Sequence, residues 1–174
     1  MKMERTYYDL SPAQDVPYLQ TKYTIFKRVI NILTSITIDG DVDFDLMRKA
    51  YNLVVERNDC LRIKFVKRNG RLMQYFRTKE EIKPLEKVPY REFETEGQQK
   101  ACIDKYRKSA IKYKRGVVIE PHFIKTFDNK SMVLVKVCHM VLDTYGISFF
   151  YKDLLAVYNS LKNGTDLPEQ PASY

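Results

Sequence analysis

The sequence predicts an α/β fold, an α+β sandwich in which mostly antiparallel strands are flanked by helices. Two stretches of strand-like alternation fold back at strong turn signals, Asn69-Gly70 and residues 128–130, which indicates two antiparallel hairpins. Apolar residues at helical spacing lie before, between and after these hairpins. The 174 residues, 44% of them hydrophobic, suffice for one packed domain or for one lobe of a larger one.

The first half of the chain is predicted to run helix, strand, helix and hairpin. Ser11 followed by proline supplies an N-cap and a first-turn proline for a helix over residues 11–23. Alternating isoleucines in residues 30–38 predict a strand with one buried face. Helical spacing over residues 44–54 predicts the second helix, and residues 61–77 form the first hairpin, with Arg62 in its first strand.

The second half is predicted to run loop, basic helix, hairpin and helix. Residues 78–96 carry prolines and many glutamates, which is typical of a loop or an edge segment. The basic helix has an apolar stripe formed by Ile103, Tyr106, Ala110 and Tyr113. Residues 117–138 form the second hairpin, and the last helix covers residues 147–161 and stops at Asn163-Gly164.

The charge balance bounds the choice of partner. The chain has 30 Lys+Arg and 22 Asp+Glu, a formal net charge of +8 at pH 7, which favours an anionic partner such as nucleic acid, an acidic protein or a phosphate-bearing ligand. Basic residues are densest between Lys100 and Arg115, a run that we interpret as the solvated face of a helix. No zinc-finger spacing or aromatic RNA-binding motif accompanies it, so we expect no nucleic-acid partner.

The composition also limits where the protein is expected to be located and which cofactors it is expected to bind. No run approaches the roughly 18 apolar residues of a membrane span, and the first residues lack the apolar segment of a signal peptide. The three cysteines have no CxxC spacing, which argues against a disulfide framework or a zinc site. We therefore expect a cytoplasmic protein with no membrane partner, no metal and no cofactor bound by the chain itself.

The candidates for imidazole chemistry are two histidines. His139 stands at the end of a hydrophobic strand, where the chain turns towards the last helix. A neutral imidazole at such a junction could take a proton from an attacking hydroxyl or amine, although a lone histidine at a strand end is commonly structural. Asp143 follows four residues later and could orient the loop or pair with a cation. His122 lies within a strand pattern and is interpreted as structural.

Four segments, taken in order, resemble a known family. Residues 138–146, Cys138-His139-Met140-Val141-Leu142-Asp143-Thr144-Tyr145-Gly146, resemble the HHxxxDG motif of condensation domains and chloramphenicol acetyltransferase-like acyltransferases. Residues 10–14 are similar to the opening S-x-A-Q element of condensation domains, and residues 56–65 to their R-H-x-x-L-R-x-x-F element. Residues 167–174 are similar to the crossover region. The chain thus resembles the N-terminal half of a nonribosomal peptide synthetase condensation domain.

This resemblance implies a chloramphenicol acetyltransferase-like lobe with a mixed, mostly antiparallel sheet flanked by helices. Residues 1–166 would be the N-terminal lobe of a condensation-type acyltransferase, and residues 167–174 the start of a crossover linker to a missing C-terminal lobe. We accordingly interpret the chain as a fragment of a longer polypeptide. We expect the isolated fragment to be inactive, because the opposite wall of its active site would come from the missing lobe.

The resemblance also implies roles for single residues. In the family, the second histidine of the motif lies in a tunnel between two lobes and assists attack of an amine or hydroxyl on a thioester held by phosphopantetheine or coenzyme A. His139 takes that position as general base. Asp143 and Arg62 are implied to support the site structurally, as a buried ion pair. The implied partners are an acyl or peptidyl carrier protein and the missing C-terminal lobe.

The chain departs from the family motif at two positions. Cys138 replaces the first histidine, and strand alternation turns it away from His139, so we interpret it as a small buried apolar residue. Thr144 replaces the motif glycine, and the nearest glycine is Gly146, after Tyr145. A β-branched residue at this position restricts the close backbone approach that glycine permits.

Two alternatives therefore stay open beside the acyltransferase. One is a degenerate, non-catalytic condensation-like module that binds a carrier protein or another partner. The other is a single-lobe trimeric acetyltransferase with active sites between subunits, against which the linker-like tail and the condensation-type second motif argue.

Overall fold

The computed structural model describes residues 5–170 and contains, within them, two sheets and four α-helices. The helices are α1 (Pro12–Tyr23), α2 (Phe44–Arg57), α3 (Glu96–Lys108) and α4 (Thr144–Asn163). The strands are β1 (Tyr8–Asp9), β2 (Asn31–Ile38), β3 (Ile63–Arg68), β4 (Arg71–Phe76), β5 (Tyr90–Glu92), β6 (Ile119–Lys125) and β7 (Ser131–Cys138).

The larger sheet has the strand order β2-β7-β6-β5. Its strands pair antiparallel except at the edge, where β5 runs parallel to β6. The smaller sheet has the order β1-β4-β3 and is antiparallel throughout. The predicted class, a mixed and mostly antiparallel α+β architecture flanked by helices, is therefore confirmed.

The core lies between the larger sheet and the helices α2 and α4. Val133, Val135 and Val137 are fully buried on one face of β7, and each such side chain contributes roughly 1.5–3 kcal/mol by leaving water. Tyrosine hydroxyls join the two helices to the sheet: Tyr51 of α2 donates to the Ile119 carbonyl at 3.4 Å, and Tyr151 of α4 donates to the Thr34 carbonyl at 3.0 Å. These contacts fix the position of α4 relative to the end of β7.

Local signals set most element ends as predicted. Ser11 caps α1 with a reciprocal capping box to Gln14, and α4 stops at Gly164, which has a left-handed backbone. The first hairpin turns at Asn69 and Gly70, whose φ angles are 48° and 78°. Two successive positive φ angles are the requirement of a type I′ turn, which explains the Asn-Gly pair.

Several predicted elements have other bounds, and α4, for example, begins at Thr144 rather than at residue 147. The basic helix stops at Lys108, because Ser109 has an extended backbone and its hydroxyl donates to the Tyr106 carbonyl at 2.9 Å. The helix buries none of its residues. Tyr113 therefore lies outside the helix that the apolar spacing predicted. The first strand of the first hairpin begins at Ile63, because Asp59–Arg62 form a single turn of 3-10 helix.

Residues 78–96, predicted as a loop or edge segment, include the short edge strand β5. Within residues 5–170, no helix is both long enough and apolar enough to cross a bilayer.

Candidate active site

The turn after β7 carries His139. The strand ends at Cys138, and the His139 amide donates to the Ile30 carbonyl at 2.8 Å, which ties the turn to the start of β2. The imidazole itself is exposed, whereas Cys138 is fully buried, and burial raises the pKa of its thiol to about 12. Consecutive residues thus point in opposite directions, and Cys138 is the buried apolar residue that strand alternation predicted.

His139 lines a cleft of about 560 Å³ between the smaller sheet, the start of α1 and the turn after β7. The cleft walls come from residues 8–11, Ala13, Gln14, Cys60, Ile63, Gln74, Phe76, residues 139–143 and Gly146. Three of the four motif-like segments thus meet in one cleft although they are far apart in sequence. Within residues 5–170, no group of three or more His, Cys, Asp or Glu side chains is arranged to hold a metal ion.

A glutamine pair joins the walls of the cleft beside His139. The Gln14 amide nitrogen donates to the Gln74 carbonyl oxygen at 2.8 Å and to the Met140 backbone carbonyl at 3.0 Å. The Gln74 amide in turn donates to the Gln14 oxygen at 2.8 Å and to the Asp9 carbonyl at 3.1 Å. Gln14 therefore holds the peptide directly after His139 in a fixed place relative to α1 and β4.

Gln74 is a site residue that the sequence patterns did not single out, since it matches none of the motif elements. It is 8% exposed, although it is polar and lies on a strand. The sequence does contain one sign of its burial: strand alternation places Gln74 on the same face of β4 as the apolar residues Leu72 and Phe76. A glutamine on an otherwise apolar face requires a buried hydrogen-bond partner.

Asp143 is exposed and begins α4 as its N-cap. Its carboxylate accepts the Gly146 amide at 2.8 Å, which satisfies one of the unpaired donors of the first helical turn. Thr144, in the motif-glycine position, is the exposed first residue of this helix. A Cβ atom on Gly146 would approach the Leu142 Cδ2 atom to 2.9 Å, so a larger residue there requires the end of the Leu142 side chain to move.

The predicted Arg62–Asp143 ion pair is wrong for this structure. The Arg62 guanidinium pairs with Asp59 and donates to the Arg77 carbonyl at 2.5 Å, and within residues 5–170 the Asp143 carboxylate has no ion-pair partner. The physical reason is local, because the two paired residues lie three apart in one 3-10 turn. Side chains at this spacing eclipse each other in a 3-10 helix.

Arg57, near the start of the second motif-like segment, holds the end of the described chain. Its guanidinium donates to the Pro168 carbonyl at 2.8 Å and to the Glu169 carbonyl, and lies 3.7 Å from a carboxylate oxygen of Asp153 on α4. The first residues of the predicted linker therefore pack on α2 and α4. Residues 171–174, the rest of the crossover-like segment, lie outside the described residues.

The second histidine, His122, lies elsewhere and contributes nothing to the cleft. Its ring stacks on Tyr106 with centroids 3.7 Å apart. Burial, together with the nearby Lys136 ammonium, lowers the pKa of His122 to about 4. These contacts agree with the structural role predicted from its sequence context.

Comparison with known proteins places the chain in a family. The condensation-domain family model matches residues 4–174. The chain is 23% identical over 167 residues to tyrocidine synthase 3 from Brevibacillus parabrevis, a match that covers 94% of this chain and 2% of that protein. The chain therefore spans a small part of the curated relatives that it matches.

Solved structures share the fold. The first condensation domain of the calcium-dependent antibiotic synthetase, in complex with a substrate analogue, matches 95% of this chain and 40% of its own, at a TM-score of 0.84 and 19% identity. The starter condensation domain of rhizomide synthetase matches 95% of this chain and 42% of its own, at a TM-score of 0.81 and 22% identity. Because the condensation-domain family model matches nearly the whole chain, the chain belongs to the condensation-domain family.

Proposed function

We propose that this chain supplies the histidine-bearing half of a condensation-type acyltransferase, which joins a thioester-bound acyl group to an amine or hydroxyl acceptor as an amide or ester. The observation that carries the proposal is the position of His139. Its exposed imidazole lines a cleft of about 560 Å³ in which three motif-like segments meet.

In the proposed reaction His139 is the general base. Its neutral imidazole takes the proton from the acceptor N–H or O–H while the acceptor nitrogen or oxygen attacks the thioester carbonyl carbon. Collapse of the tetrahedral intermediate breaks the C–S bond, and the imidazolium returns the proton to the leaving thiolate. The thioester would be carried on phosphopantetheine or coenzyme A, with an acyl or peptidyl carrier protein as partner.

The scaffold supports this role because the backbone on both sides of the imidazole is fixed. The His139 amide is bonded to Ile30 at 2.8 Å, and the Met140 carbonyl accepts from Gln14 at 3.0 Å. A base held in this way needs little reorganisation before it meets an acceptor.

The proposal includes a second lobe. Tyr145 and Phe149, one turn apart on α4, are 80% and 67% exposed. Phe149 lines an apolar cavity of about 380 Å³ that shares Cys60, Leu142 and Gly146 with the His139 cleft. Exposed aromatic residues beside a site are typical of a surface that another part of a protein covers. We propose residues 1–166 as the N-terminal lobe and residues 167–174 as the start of the linker to that second lobe.

The reaction class is tested with the complete protein. Carrier proteins loaded with a panel of acyl and aminoacyl thioesters are supplied with amine and hydroxyl acceptors, and products are identified by mass spectrometry. Formation of an amide or ester supports the proposal, whereas its absence across the panel, with thioester hydrolysis alone, contradicts it. The isolated 174-residue chain is expected to give no product as a monomer.

A non-catalytic binding module is the second candidate, and the motif position occupied by Cys138 favours it. This thiol is sealed in the core with a raised pKa, so it cannot replace the polar side chain that the family motif has there. Titration of the complete protein with loaded and unloaded carrier separates the two candidates. Binding without product formation supports the module, and turnover excludes it.

A further inference from the structure

A groove between α1 and the segment that follows α3 has only cations among its charged lining residues. It has a volume of about 550 Å³ and is lined by Tyr18, Thr21, Lys22 and residues 111–115. Its four charged lining residues are Lys22, Lys112, Lys114 and Arg115, and all four side chains are exposed. In the part of the chain that the structure describes, none of the four forms an ion pair, and no acidic residue lines the groove.

The alternation of buried and exposed residues after α3 explains why lysine side chains point into this groove. Ile111 and Tyr113 are 4% and 9% exposed, and they anchor the segment after α3 to the core. Lys112 and Lys114 alternate with these anchors and therefore point outwards. The basic run that the sequence pattern predicted as one solvated helix face is thus divided, and its second part is held rigidly by two buried side chains.

Further positive charge lies close by. The side chains of Lys64 and Arg77 lie against Gly116, the residue after Arg115. A Cβ atom placed on this glycine would be 3.1 Å from the Lys64 Cδ atom and 3.2 Å from a guanidinium nitrogen of Arg77. Arg77 donates to the Gly116 carbonyl at 2.8 Å, so its guanidinium is bonded to the residue that follows Arg115. Like charges held together repel one another in the free protein, and a bound anion relieves that repulsion.

We propose that this basic groove binds a carboxylate-rich segment of a partner protein. Lysine and arginine side chains form charge-assisted hydrogen bonds with carboxylates, and complementary charge accelerates association. Nucleic acid fits less well, because bases need exposed aromatic faces on which to stack. Lys22 Nζ lies 4.8 Å from the Tyr18 ring centroid, and Lys114 Nζ lies 5.8 Å from that of Tyr113, which is itself buried.

This proposal does not depend on the chemistry of His139. The basic groove and the His139 cleft share no lining residue. A protein that fails to transfer acyl groups can therefore still bind an acidic segment in this groove. A protein that fails to bind such a segment can likewise still transfer acyl groups.

The test uses a fluorescein-labelled glutamate decamer as the probe and fluorescence anisotropy as the readout, with the whole chain. The triple variant Lys112→Ala/Lys114→Ala/Arg115→Ala removes three charges from the groove. The matched control, Lys100→Ala/Lys105→Ala/Lys108→Ala, removes three charges from exposed positions of α3. We expect the groove variant to weaken binding about tenfold and the control to change it less than about twofold.

Three outcomes overturn the proposal: no binding of the decamer at low salt, equal weakening in both triple variants, or tighter binding of a thymidine dodecamer than of the peptide. Circular dichroism checks that each variant is folded. Should the groove variant be unfolded, the single substitution Lys22→Ala on α1 replaces it, and unchanged affinity in that variant also contradicts the proposal.

Discussion

The side-chain amides of Gln14 and Gln74 pair reciprocally, each donating to the carbonyl oxygen of the other at 2.8 Å. One residue lies in the first turn of α1 and the other on β4, and the pair is completed by a bond from Gln14 to the Met140 carbonyl. The opening motif-like segment is thereby attached to the peptide that follows His139. Its glutamine acts as a positioning residue for the turn that carries the imidazole.

Removing either glutamine is expected to destabilise the fold. Gln14→Ala or Gln74→Ala removes the reciprocal hydrogen bonds between the two side-chain amides, and should lower the free energy of unfolding by about 1–3 kcal/mol. The double variant should cost less than the sum of the two, because the shared interaction is lost only once. Urea unfolding followed by circular dichroism measures these differences, and Gln20→Ala, at an exposed position of the same helix, is the matched control. Strictly additive losses would show that the two amides do not interact.

Asp143 is expected to act through the helix that it caps. Asp143→Ala should lower the free energy of unfolding by about 1 kcal/mol, whereas Asp143→Asn, which can still cap, should lower it far less. Because Arg62 pairs with Asp59, the effects of Arg62→Ala and Asp143→Ala should add, while those of Arg62→Ala and Asp59→Ala should not. Strong coupling between positions 62 and 143 in this double-mutant cycle would restore the pairing that the family resemblance implied.

Acid is expected to destabilise the fold through His122. The pKa of this imidazole is about 4 in the folded chain and about 6.5 in an unfolded one, so between these values only the unfolded chain takes up the proton. The stability contributed by the neutral ring is fully present above pH 6.5 and is lost as the pH falls towards 4. Partial exposure of the ring reduces the loss to roughly 1–2 kcal/mol.

Urea unfolding of the wild type and of His122→Gln at a series of pH values checks this linkage. The difference in unfolding free energy between the two proteins should shrink as the pH falls through that window. A difference that stays constant from pH 7 to pH 4.5 would rule out the shift. Nuclear magnetic resonance titration of the His122 ring is the direct complement.

Long regular patterns made most of the fold predictable. The helices α2 and α4 extend over 14 and 20 residues, and spacing over several turns leaves few alternatives. The sequence predicted a helix that extends beyond the real end of α3, because two spacings overlap there. A helical period fits Ile103, Tyr106, Ala110 and Tyr113, and an extended period fits Ile111 and Tyr113. Only tertiary packing selects between two periods over so short a stretch. The two-residue strand β1 is too short to leave any pattern.

The site was predictable only in part, and for a similar reason. Family resemblance indicated His139, and the structure places it in a cleft with the other motif-like segments. The partner of Arg62 was misassigned, because a single 3-10 turn offers Asp59 at closer range than any distant carboxylate. Gln74 lies 60 residues from Gln14 in sequence, and nothing in the local pattern around either residue specifies the other.

Single-turnover acyl transfer by the complete protein tests the role of His139 most directly, with His122→Ala as the matched control histidine. Loss of a positioned general base typically lowers a rate by about 10²–10⁴-fold, so His139→Ala should fall by at least about 100-fold and His122→Ala by less than about threefold. The affinity for loaded carrier should be unchanged in both variants. A His139→Ala protein that transfers the acyl group at the wild-type rate would contradict the proposed mechanism.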